Sequence, residues 1–219
     1  MAKKERVADE RSAKISESAV RRLSIYLRLL QEADSLGQET ISSEELAERG
    51  GTTAAQVRKD LSLFGSFGKR GLGYAVGELL RELREILGLD RSWRVALVGA
   101  GKIGSALISY RNFQLRGFNI EAVFDTDPEK VGQSWGADTI LNDARMELVL
   151  AEKEIDIVVL AVPADAAQAV TDRVVSSGVS AILNFAPVRL RVPEGVSLRN
   201  VDMVVEMEGL AFSLTSELR

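Results

Sequence analysis

A glycine-rich turn and a distant acid form the most specific chemical pattern in the sequence. Glycines stand at 99, 101 and 104, directly after the apolar run Val95–Val98, and a second apolar run ends at Asp125. In a dinucleotide site Gly99 permits a tight turn, Gly101 lets the backbone approach a pyrophosphate, and Gly104 lets helix and strand pack closely. An acid roughly 20 residues further on binds the ribose hydroxyls, which is the role expected of Asp125. The pattern predicts a bound dinucleotide. The alternative is a similar fold that has lost its ligand or binds a relative such as coenzyme A.

The elements that must position these residues alternate between strand and helix. Apolar runs lie at 95–98, 120–124, 155–162 and 181–185, with a short strand expected at 138–141, and helical patterns begin at about 102 and cover 144–152 and 164–176. Apolar runs that alternate with helices predict an α/β fold with a doubly wound parallel sheet. Ligands in such folds bind at the carboxyl ends of the strands. The expected site therefore also includes Val162, Pro163, Asn184, Phe185, Ala186 and Pro187.

The first part of the chain contains a different chemical pattern. Two short helical segments are joined by Gly50-Gly51, and the second, from Ala54 to about Phe64, is capped by threonine. This arrangement resembles a helix-turn-helix. Glutamine can bind adenine edges, and arginine and lysine can bind guanine or phosphates. The candidate DNA-binding residues of this segment are Thr53, Gln56, Arg58, Lys59 and Ser62. An ordinary pair of structural helices is the alternative.

The loop Gly65–Tyr74 follows directly and surrounds Lys69 and Arg70 with glycines. Such a loop can form a tight hairpin whose basic tip contacts a phosphate or a minor groove, as the wing of a winged-helix domain does. An ordinary flexible linker is the alternative. The basic tip follows a candidate recognition helix, which favours the wing.

Composition excludes several classes of protein. The chain of 219 residues carries a net charge of −4 and contains neither cysteine nor histidine. Disulfides and thiolate chemistry are therefore excluded, and the commonest general acid–base and the commonest metal ligand are missing. We expect no catalytic residues and no metal site. No apolar stretch is long enough to span a membrane and no signal peptide is recognisable, so we expect a cytoplasmic protein.

Four segments are expected. We expect a mobile arm at 1–14 and a winged-helix DNA-binding domain at 15–90. A Rossmann-like nucleotide-binding domain should follow at 91–200, and a C-terminal helix for dimerisation at 201–219. The last helix is so apolar that much of its circumference must be buried. It packs either on its own sheet, which is the usual case, or into a partner subunit.

These motifs together closely resemble the Rex family of redox-sensing transcriptional repressors. The resemblance extends from about residue 15 to 216, and several matching stretches are too long to be general features of nucleotide-binding folds. They are Tyr26–Arg28, Gln56–Leu61, Gly65–Tyr74, Val98–Gly104, Phe124–Gly132 and Leu183–Val188. The matches add Ala100, Lys102, Ile103 and Lys130 to the expected cofactor site. Phe67 and the charged N-terminal extension are slight departures from the family pattern.

The resemblance implies a repressor that is not an enzyme. Members of the family bind an inverted repeat in double-stranded operator DNA as homodimers when NAD⁺ dominates, and NADH releases them. The C-terminal helix is exchanged between subunits. A polar network is expected from Arg28, Tyr110 and Asp202, with the aspartate coming from the partner subunit. The competing interpretations are an NAD-dependent oxidoreductase, for which no proton donor is evident, and a coenzyme A-binding module with a fused helical domain.

Overall fold

The chain divides into two units, Met1–Arg91 and Ser92–Arg219. A computed structural model describes residues 15–68, 71–135 and 138–216. The expected arm at 1–14 lies outside the described residues, and so do Lys69 and Arg70 at the expected wing tip.

The first unit is built from helices around one apolar core. Its elements are α1 (Glu17–Ser35), β1 (Thr40–Ile41), α2 (Ser43–Gly50), α3 (Ala54–Ser62), β2 (Tyr74–Ala75) and α4 (Val76–Ile86). The core is formed mainly by leucines of α1, α2, α3 and α4, together with Tyr26, Ile41, Val57, Tyr74 and Val76. Strands β1 and β2 pair in antiparallel orientation, so they connect the loop after α3 to the segment before α2.

Local capping determines where α2 and α3 begin. The Ser42 hydroxyl accepts a hydrogen bond from the N–H of Glu45 at 3.0 Å, and the Thr53 hydroxyl accepts one from Gln56 at 3.2 Å. Between the two helices Gly51 adopts a left-handed conformation, with φ of 63°. A serine or threonine cap and a left-handed glycine stop are common helix boundaries. These residues therefore produce two helices joined by a short turn.

The second unit is an α/β domain. Its elements are β3 (Trp93–Val98), α5 (Lys102–Ile108), α6 (Asn112–Leu115), β4 (Phe118–Asp125), β5 (Ser134–Trp135), β6 (Asp138–Thr139), β7 (Leu141–Asn142), α7 (Met146–Glu152), β8 (Ile157–Leu160), α8 (Ala164–Ser176), β9 (Ala181–Asn184), β10 (Ser197–Asn200) and α9 (Met203–Ser216). The six-stranded sheet has the order β10-β9-β8-β3-β4-β7, and every pair is parallel.

Both faces of this sheet are covered. On β3, Ala96 and Val98 join a core that includes side chains of α7 and α8. The intervening residues Val95 and Leu97 face a second core, against which α5 packs. Successive side chains of a strand point to opposite faces, so β3 is apolar throughout because both of its faces are buried. The prediction of an α/β fold with a doubly wound parallel sheet is confirmed.

Two local predictions need correction, and several short strands were missed. The strand expected at 138–141 is divided at Ile140, since Asp138–Thr139 pairs with β5 and Leu141–Asn142 joins the main sheet. The helix expected at 144–152 begins with a 3₁₀ turn and becomes α-helical at Met146. The edge strand β10 and the strands β1 and β2 were not expected, because short strands carry too few residues to show alternation.

Helix α9 is apolar and exposed. The fractional exposure of its larger apolar side chains ranges from 57% for Val205 to 72% for Phe212. In the single chain this helix is therefore not packed on its own sheet, and the alternative, packing into a partner subunit, stays a prediction. Exposed apolar surface of this extent marks an interaction site.

Candidate nucleotide-binding and DNA-binding sites

The glycine-rich loop lies at the carboxyl ends of the central strands. Gly99 adopts a φ of +100° and its N–H donates to the carbonyl oxygen of Phe124 at 2.8 Å. A Cβ at this position would overlap the carbonyl oxygen of Ala161. Glycine is therefore required both by the backbone conformation and by the close approach of the segment after β8.

Gly104 and Gly101 are required for different reasons. A Cβ at Gly104 would overlap the carbonyl oxygen of Gly99, so glycine lets α5 pack directly on the turn. At Gly101, which has an ordinary φ of −75°, an added Cβ would meet no described heavy atom within 4 Å. Packing within the described chain therefore does not explain glycine at 101. Open space in front of this residue is what a close approach by a ligand would need.

Helix α5 begins directly after this loop. Its first residues, Lys102 and Ile103, are exposed. The N–H groups in the first turn of an α-helix have no acceptor within their own helix, so they can bind an anion. Ala100, by contrast, is buried, and its N–H is already bonded within the protein.

Asp125 is the acceptor for the Ala100 N–H. The residue is only 8% exposed, and Oδ2 accepts hydrogen bonds from Ala100 N at 2.7 Å and from Lys130 Nζ at 3.3 Å. Oδ1 accepts from the N–H of Asp127 at 2.9 Å. Burial alone would raise the pKa of Asp125, but these donors outweigh it and lower the pKa below its usual value. A carboxylate has about four acceptor positions, so one remains for a ribose hydroxyl.

Lys130 sits beside this carboxylate. Its ammonium lies 3.3 Å from Asp125 Oδ2 and 3.4 Å from Asp127 Oδ2, and its side chain is one-third exposed. The resemblance places Lys130 in the cofactor site, and the structure places it next to the expected ribose-binding acid.

The segments after β8 and β9 complete the edge of the sheet. The Ala161 N–H donates to Val98 and the Phe185 N–H donates to Leu160, each at 2.8 Å. These bonds bring Val162 next to Gly99 and Phe185 next to β8, and Pro163 follows Val162 in the sequence. Pro187 is exposed and Ala186 is buried.

Asn184 has a different environment from the one that a ligand-binding amide would need. Its side chain is fully buried, and its Oδ1 accepts from the N–H of Ala186 at 2.9 Å. Its Nδ2 donates to the carbonyl oxygens of Ala186 and Val188 at 3.1 Å and to Asn200 Oδ1 at 2.9 Å. In the described structure Asn184 therefore shapes the loop that follows it.

The expected DNA-binding residues lie along α3, although several have intramolecular partners. Gln56 donates to Asp60 Oδ1 at 2.7 Å, and Arg58 donates to the hydroxyl of Ser43 and to Glu44. Ser62 donates to the carbonyl oxygen of Lys59. The side chains of Thr53, Arg58, Lys59 and Ser62 are exposed, and Gln56 is half-buried. Gln56 must release Asp60, or share its second N–H, in order to contact a base.

Asp60 was missed as a functional candidate. It is 1% exposed and accepts two hydrogen bonds from the Arg22 guanidinium, at 2.6 and 2.7 Å. The hydroxyl of Tyr26 donates to Asp60 Oδ2 at 3.1 Å. Asp60 therefore fixes α3 against α1. The available signal was its spacing, because position 60 lies three residues after Val57 and so shares the inner stripe of that helix.

The titration of this cluster reflects its burial and its pairing. Burial alone would raise the pKa of Asp60, but donation from Arg22, Gln56 and Tyr26 outweighs it and lowers the pKa. Burial, followed by the hydrogen bond to Asp60, raises the pKa of Tyr26 to about 12. Because Arg22 neutralises Asp60, the only acid in the segment 52–74 does not weaken the basic character of its surface.

The three residues of the expected switch network are exposed. Arg28 lies on α1 in the first unit. In the second unit Tyr110 is 52% exposed, accepts a hydrogen bond from Asn112 at 2.9 Å and contacts the Phe113 ring edge to face. Asp202 Oδ1 accepts from the N–H of Val204 at 2.9 Å, which caps α9. The network remains a prediction.

The described residues contain neither a cluster of metal ligands nor a membrane-spanning helix. No group of three or more acidic, histidine or cysteine side chains within the described ranges could hold a metal ion. Within the same ranges no helix is long and apolar enough to cross a membrane.

Two family models match parts of the chain. A model described as the CoA binding domain matches residues 90–188, and one described as the N-terminus of putative DNA-binding proteins matches residues 14–62. The two matches fall on the candidate nucleotide site and on the helix-turn-helix respectively. The first extends over the nucleotide unit alone and so does not by itself identify the whole chain.

Full-length comparisons are more specific. The redox-sensing transcriptional repressor Rex of Desulfitobacterium hafniense is 47% identical over 93% of this chain and 97% of its own length. The structure of RSP with NAD⁺ and operator DNA is 39% identical, with a TM-score of 0.89, over 93% of this chain and 94% of RSP. The structure of RSP with NADH is 37% identical, with a TM-score of 0.85, and covers 93% and 96%.

These similarities extend over both units and nearly the whole length of each relative. Rex proteins are transcriptional repressors and not enzymes, so the oxidoreductase interpretation is wrong. The chain belongs to the Rex family of redox-sensing transcriptional repressors.

Proposed function

We propose that this protein represses transcription by binding an inverted repeat in operator DNA when NAD⁺ dominates, and that NADH releases it. The main support is that one chain carries a glycine loop with open space at Gly101 and a helix-turn-helix with an exposed basic face. RSP, similar over 93% of the chain, has been solved with NADH and with NAD⁺ plus operator DNA.

The nucleotide site of the proposal is the edge formed by the ends of β3, β4, β8 and β9. The N–H groups of Lys102 and Ile103 hold the pyrophosphate against Gly101, and Asp125 accepts from the adenosine ribose. Val162, Pro163 and Phe185 provide the apolar surface for the nicotinamide ring. Gly99, Ala100, Gly104, Lys130, Asn184, Ala186 and Pro187 shape or border the same space.

The DNA site of the proposal is the outer face of α3 with the loop after it. The exposed cations Arg58 and Lys59 bind phosphates or guanine, and Thr53 and Ser62 add hydroxyl contacts. Gln56 contacts a base once it releases Asp60 or uses its second N–H. Lys69 and Arg70, which precede β2 in the sequence, contact the DNA backbone or the minor groove.

A homodimer is required by the proposed operator. Two recognition helices that enter successive major grooves must lie about 34–36 Å apart, which a single chain cannot provide. The exposed apolar surface of α9 supplies a dimer contact, and we propose that this helix is exchanged between subunits. Arg28, Tyr110 and the partner's Asp202 then form the switch network. Because its target is operator DNA, the protein is proposed to act in the cytoplasm.

NADH releases the protein from DNA through thermodynamic linkage between NADH binding and DNA binding. A ligand displaces DNA only if it binds one conformer more tightly than the other. The coupling is reciprocal, so operator DNA must weaken NADH binding by the same factor. NAD⁺ must discriminate less between the two conformers than NADH does.

Fluorescence anisotropy of a labelled operator, measured across NADH/NAD⁺ ratios at fixed total nucleotide and fixed salt, tests the proposal. Salt must be constant because phosphate contacts make DNA affinity strongly dependent on ionic strength. We expect operator binding to fall as the ratio rises, and NADH to bind more weakly when operator is present. Coenzyme A is the control ligand, since the match to the CoA binding domain concerns the same unit. Operator binding that is independent of the ratio, or displaced by coenzyme A instead, would contradict the proposal.

A further inference from the structure

One buried amide connects the nucleotide site to the start of α9. Asn184, the last residue of β9, holds the loop 185–188 through hydrogen bonds with Ala186 and Val188. The same side chain donates to Asn200 Oδ1 at 2.9 Å. Asn200 is the last residue of β10, the strand that precedes α9.

The backbone makes a second connection at this point. Asn184 and Asn200 are register partners in the parallel pair β9–β10. The N–H of Val201 donates to the carbonyl oxygen of Asn184 at 2.8 Å. Asp202 follows immediately and caps α9. Only two residues, Val201 and Asp202, therefore separate the Asn184–Asn200 bond from the helix.

The Asn184 amide nitrogen faces more acceptor oxygens than it has hydrogens to donate. Its two N–H hydrogens face three oxygens, those of Ala186, Val188 and Asn200, at 2.9 to 3.1 Å. A shift of the loop that tightens one of these bonds must weaken another. Asn200 is exposed, so its oxygen can bind water instead at little cost. The bond to Asn200 is therefore the one that a loop movement breaks most easily.

We propose that Asn184 and Asn200 are positioning residues for the switch. Their hydrogen bond couples the conformation of the loop 185–188 to the start of α9. This rests on the proposed function and deepens it. Neither side chain needs to touch the nucleotide. A ligand that moves residues 185–188 changes the sharing of the Asn184 hydrogens, and the strand end that carries Asp202 and α9 responds.

Asn200→Ala tests the coupling with little risk to the fold, because it truncates an exposed side chain and leaves Asn184 two backbone acceptors. Operator affinity with and without saturating NADH, and NADH affinity without DNA, are measured by anisotropy and by fluorescence titration. We expect the affinity for NADH and the affinity of the NAD⁺-bound protein for operator to stay within about twofold of wild type. The factor by which NADH weakens operator binding should fall by about 3- to 10-fold, the range expected when one hydrogen bond contributes to coupling.

Two further variants separate coupling from general damage. Asn200→Asp keeps an oxygen in the acceptor position and should retain the wild-type factor. Ser197→Ala changes an exposed side chain at the other end of β10 and should behave as wild type.

The outcomes distinguish the two proposals. If wild type responds to NADH and Asn200→Ala responds equally, the coupling role is overturned and the proposed function stands. A loss of NADH affinity in Asn200→Ala as large as the loss of coupling would also overturn it, because it would indicate a structural role only. If wild type itself shows no response to NADH, the proposed function fails and the coupling role fails with it.

Discussion

At the scale of single residues, Asp60 shows how one buried carboxylate can position a DNA-binding helix. It lies on α3 and its strongest partner, Arg22, lies on α1, so the pair fixes the helix that carries Lys59. The Arg22 side chain keeps 26% of its exposure, whereas that of Asp60 keeps 2%. Replacing the carboxylate by an amide would therefore leave the partly buried guanidinium without its counter-ion, and only one acceptor oxygen for the donors of Arg22, Tyr26 and Gln56.

We predict that Asp60→Asn destabilises the protein markedly. Removing one member of a buried ion pair costs roughly 3–5 kcal/mol, and the partial exposure of Arg22 places the expected loss at or below the lower end of that range. Urea unfolding of the full chain measures it. Asp34→Asn, an exposed acid on α1, is the matched control and should change the free energy of unfolding by no more than about 0.5 kcal/mol. Equal stability of the two variants would show that the Arg22–Asp60 pair contributes nothing.

The stabilisation by Asp60 should also depend on pH in a defined direction. Its pKa is lower in the folded protein than in the unfolded chain, so the contribution is complete above the unfolded value of about 3.9. It is lost as the pH falls through the folded value. The difference in stability between wild type and Asp60→Asn should therefore shrink as the pH is lowered from 6 towards 3. A difference that stayed constant over this interval would contradict the ionised state of Asp60.

Asp125 gives a prediction about ligand choice. In the proposed site its ionised carboxylate binds the adenosine ribose, so it should repel the 2′-phosphate of NADPH. We predict that Asp125→Asn lowers the preference for NADH over NADPH by about tenfold or more, equivalent to at least about 1.4 kcal/mol. Parallel titrations with the two nucleotides measure the ratio of dissociation constants. Thermal unfolding is the necessary control, because Asp125 also binds the N–H of Ala100. An unchanged ratio in a folded variant would argue against a ribose contact.

The requirements of the backbone could be predicted from the sequence, whereas the partners of polar side chains could not. The glycines at 99 and 104 occur where a turn and a close helix approach require them, because these needs follow directly from the order strand–turn–helix. Asn184 and Gln56 were expected to face ligands, yet each bonds within the chain. Spacing indicates the face on which a side chain lies. It does not indicate which of several nearby acceptors the side chain will choose, since that depends on segments distant in sequence.

At the scale of elements, the glycine loop and α5 behave as one packed unit. The carbonyl oxygen of Gly99 occupies the place where a Cβ of residue 104 would lie. The turn and the helix can therefore pack this closely only if residue 104 has no side chain. Their relative position also sets the direction of the first N–H groups of α5.

We predict that Gly104→Ala destabilises the protein and weakens NADH binding, although alanine normally stabilises a helix. Overpacking costs about 1–3 kcal/mol, which exceeds the gain of up to about 1 kcal/mol in helix propensity. Gly77→Ala in α4 is the control, because an added Cβ there meets no described heavy atom within 4 Å. It should stabilise slightly or leave stability unchanged. Urea unfolding and NADH titration provide both readings, and equal effects of the two substitutions would contradict the packing argument.

Long elements were predictable and short ones were not. Helix α8 has the expected bounds, Ala164–Ser176, and β3 covers the expected run, because each is long enough to show its periodicity. The pairs β1–β2 and β5–β6 consist of two residues per strand, so no alternation is visible in the sequence. Their pairing is imposed by the surrounding chain.

At the scale of the whole molecule, α9 offers an exposed apolar surface on which a second copy of the chain could pack. Its exposed side chains include Met203, Val204, Met207, Leu210, Phe212 and Leu214. Full burial of a large apolar side chain stabilises by about 1.5–3 kcal/mol, so their association would provide a large driving force. A sequence cannot distinguish burial against the same chain from burial against a second copy, since both require the same composition. The exposure of α9 in the single chain favours the second copy.

We predict that Leu210→Asp converts the protein to a monomer at concentrations where wild type is a dimer. A carboxylate at the centre of an apolar interface must be desolvated without a partner, and the resulting cost should weaken dimerisation by far more than tenfold. Sedimentation equilibrium measures the dimer dissociation constant directly. Leu36→Asp is the matched control, because Leu36 is 75% exposed and belongs to the first unit, away from α9 in the sequence.

The monomer should still bind NADH, whose proposed site lies within one chain, but should lose most of its operator affinity because only one recognition helix can then enter the DNA. A Leu210→Asp protein that remained dimeric would place the subunit interface elsewhere. A monomer that kept full operator affinity would remove the need for a symmetric operator and with it the geometric basis of the switch.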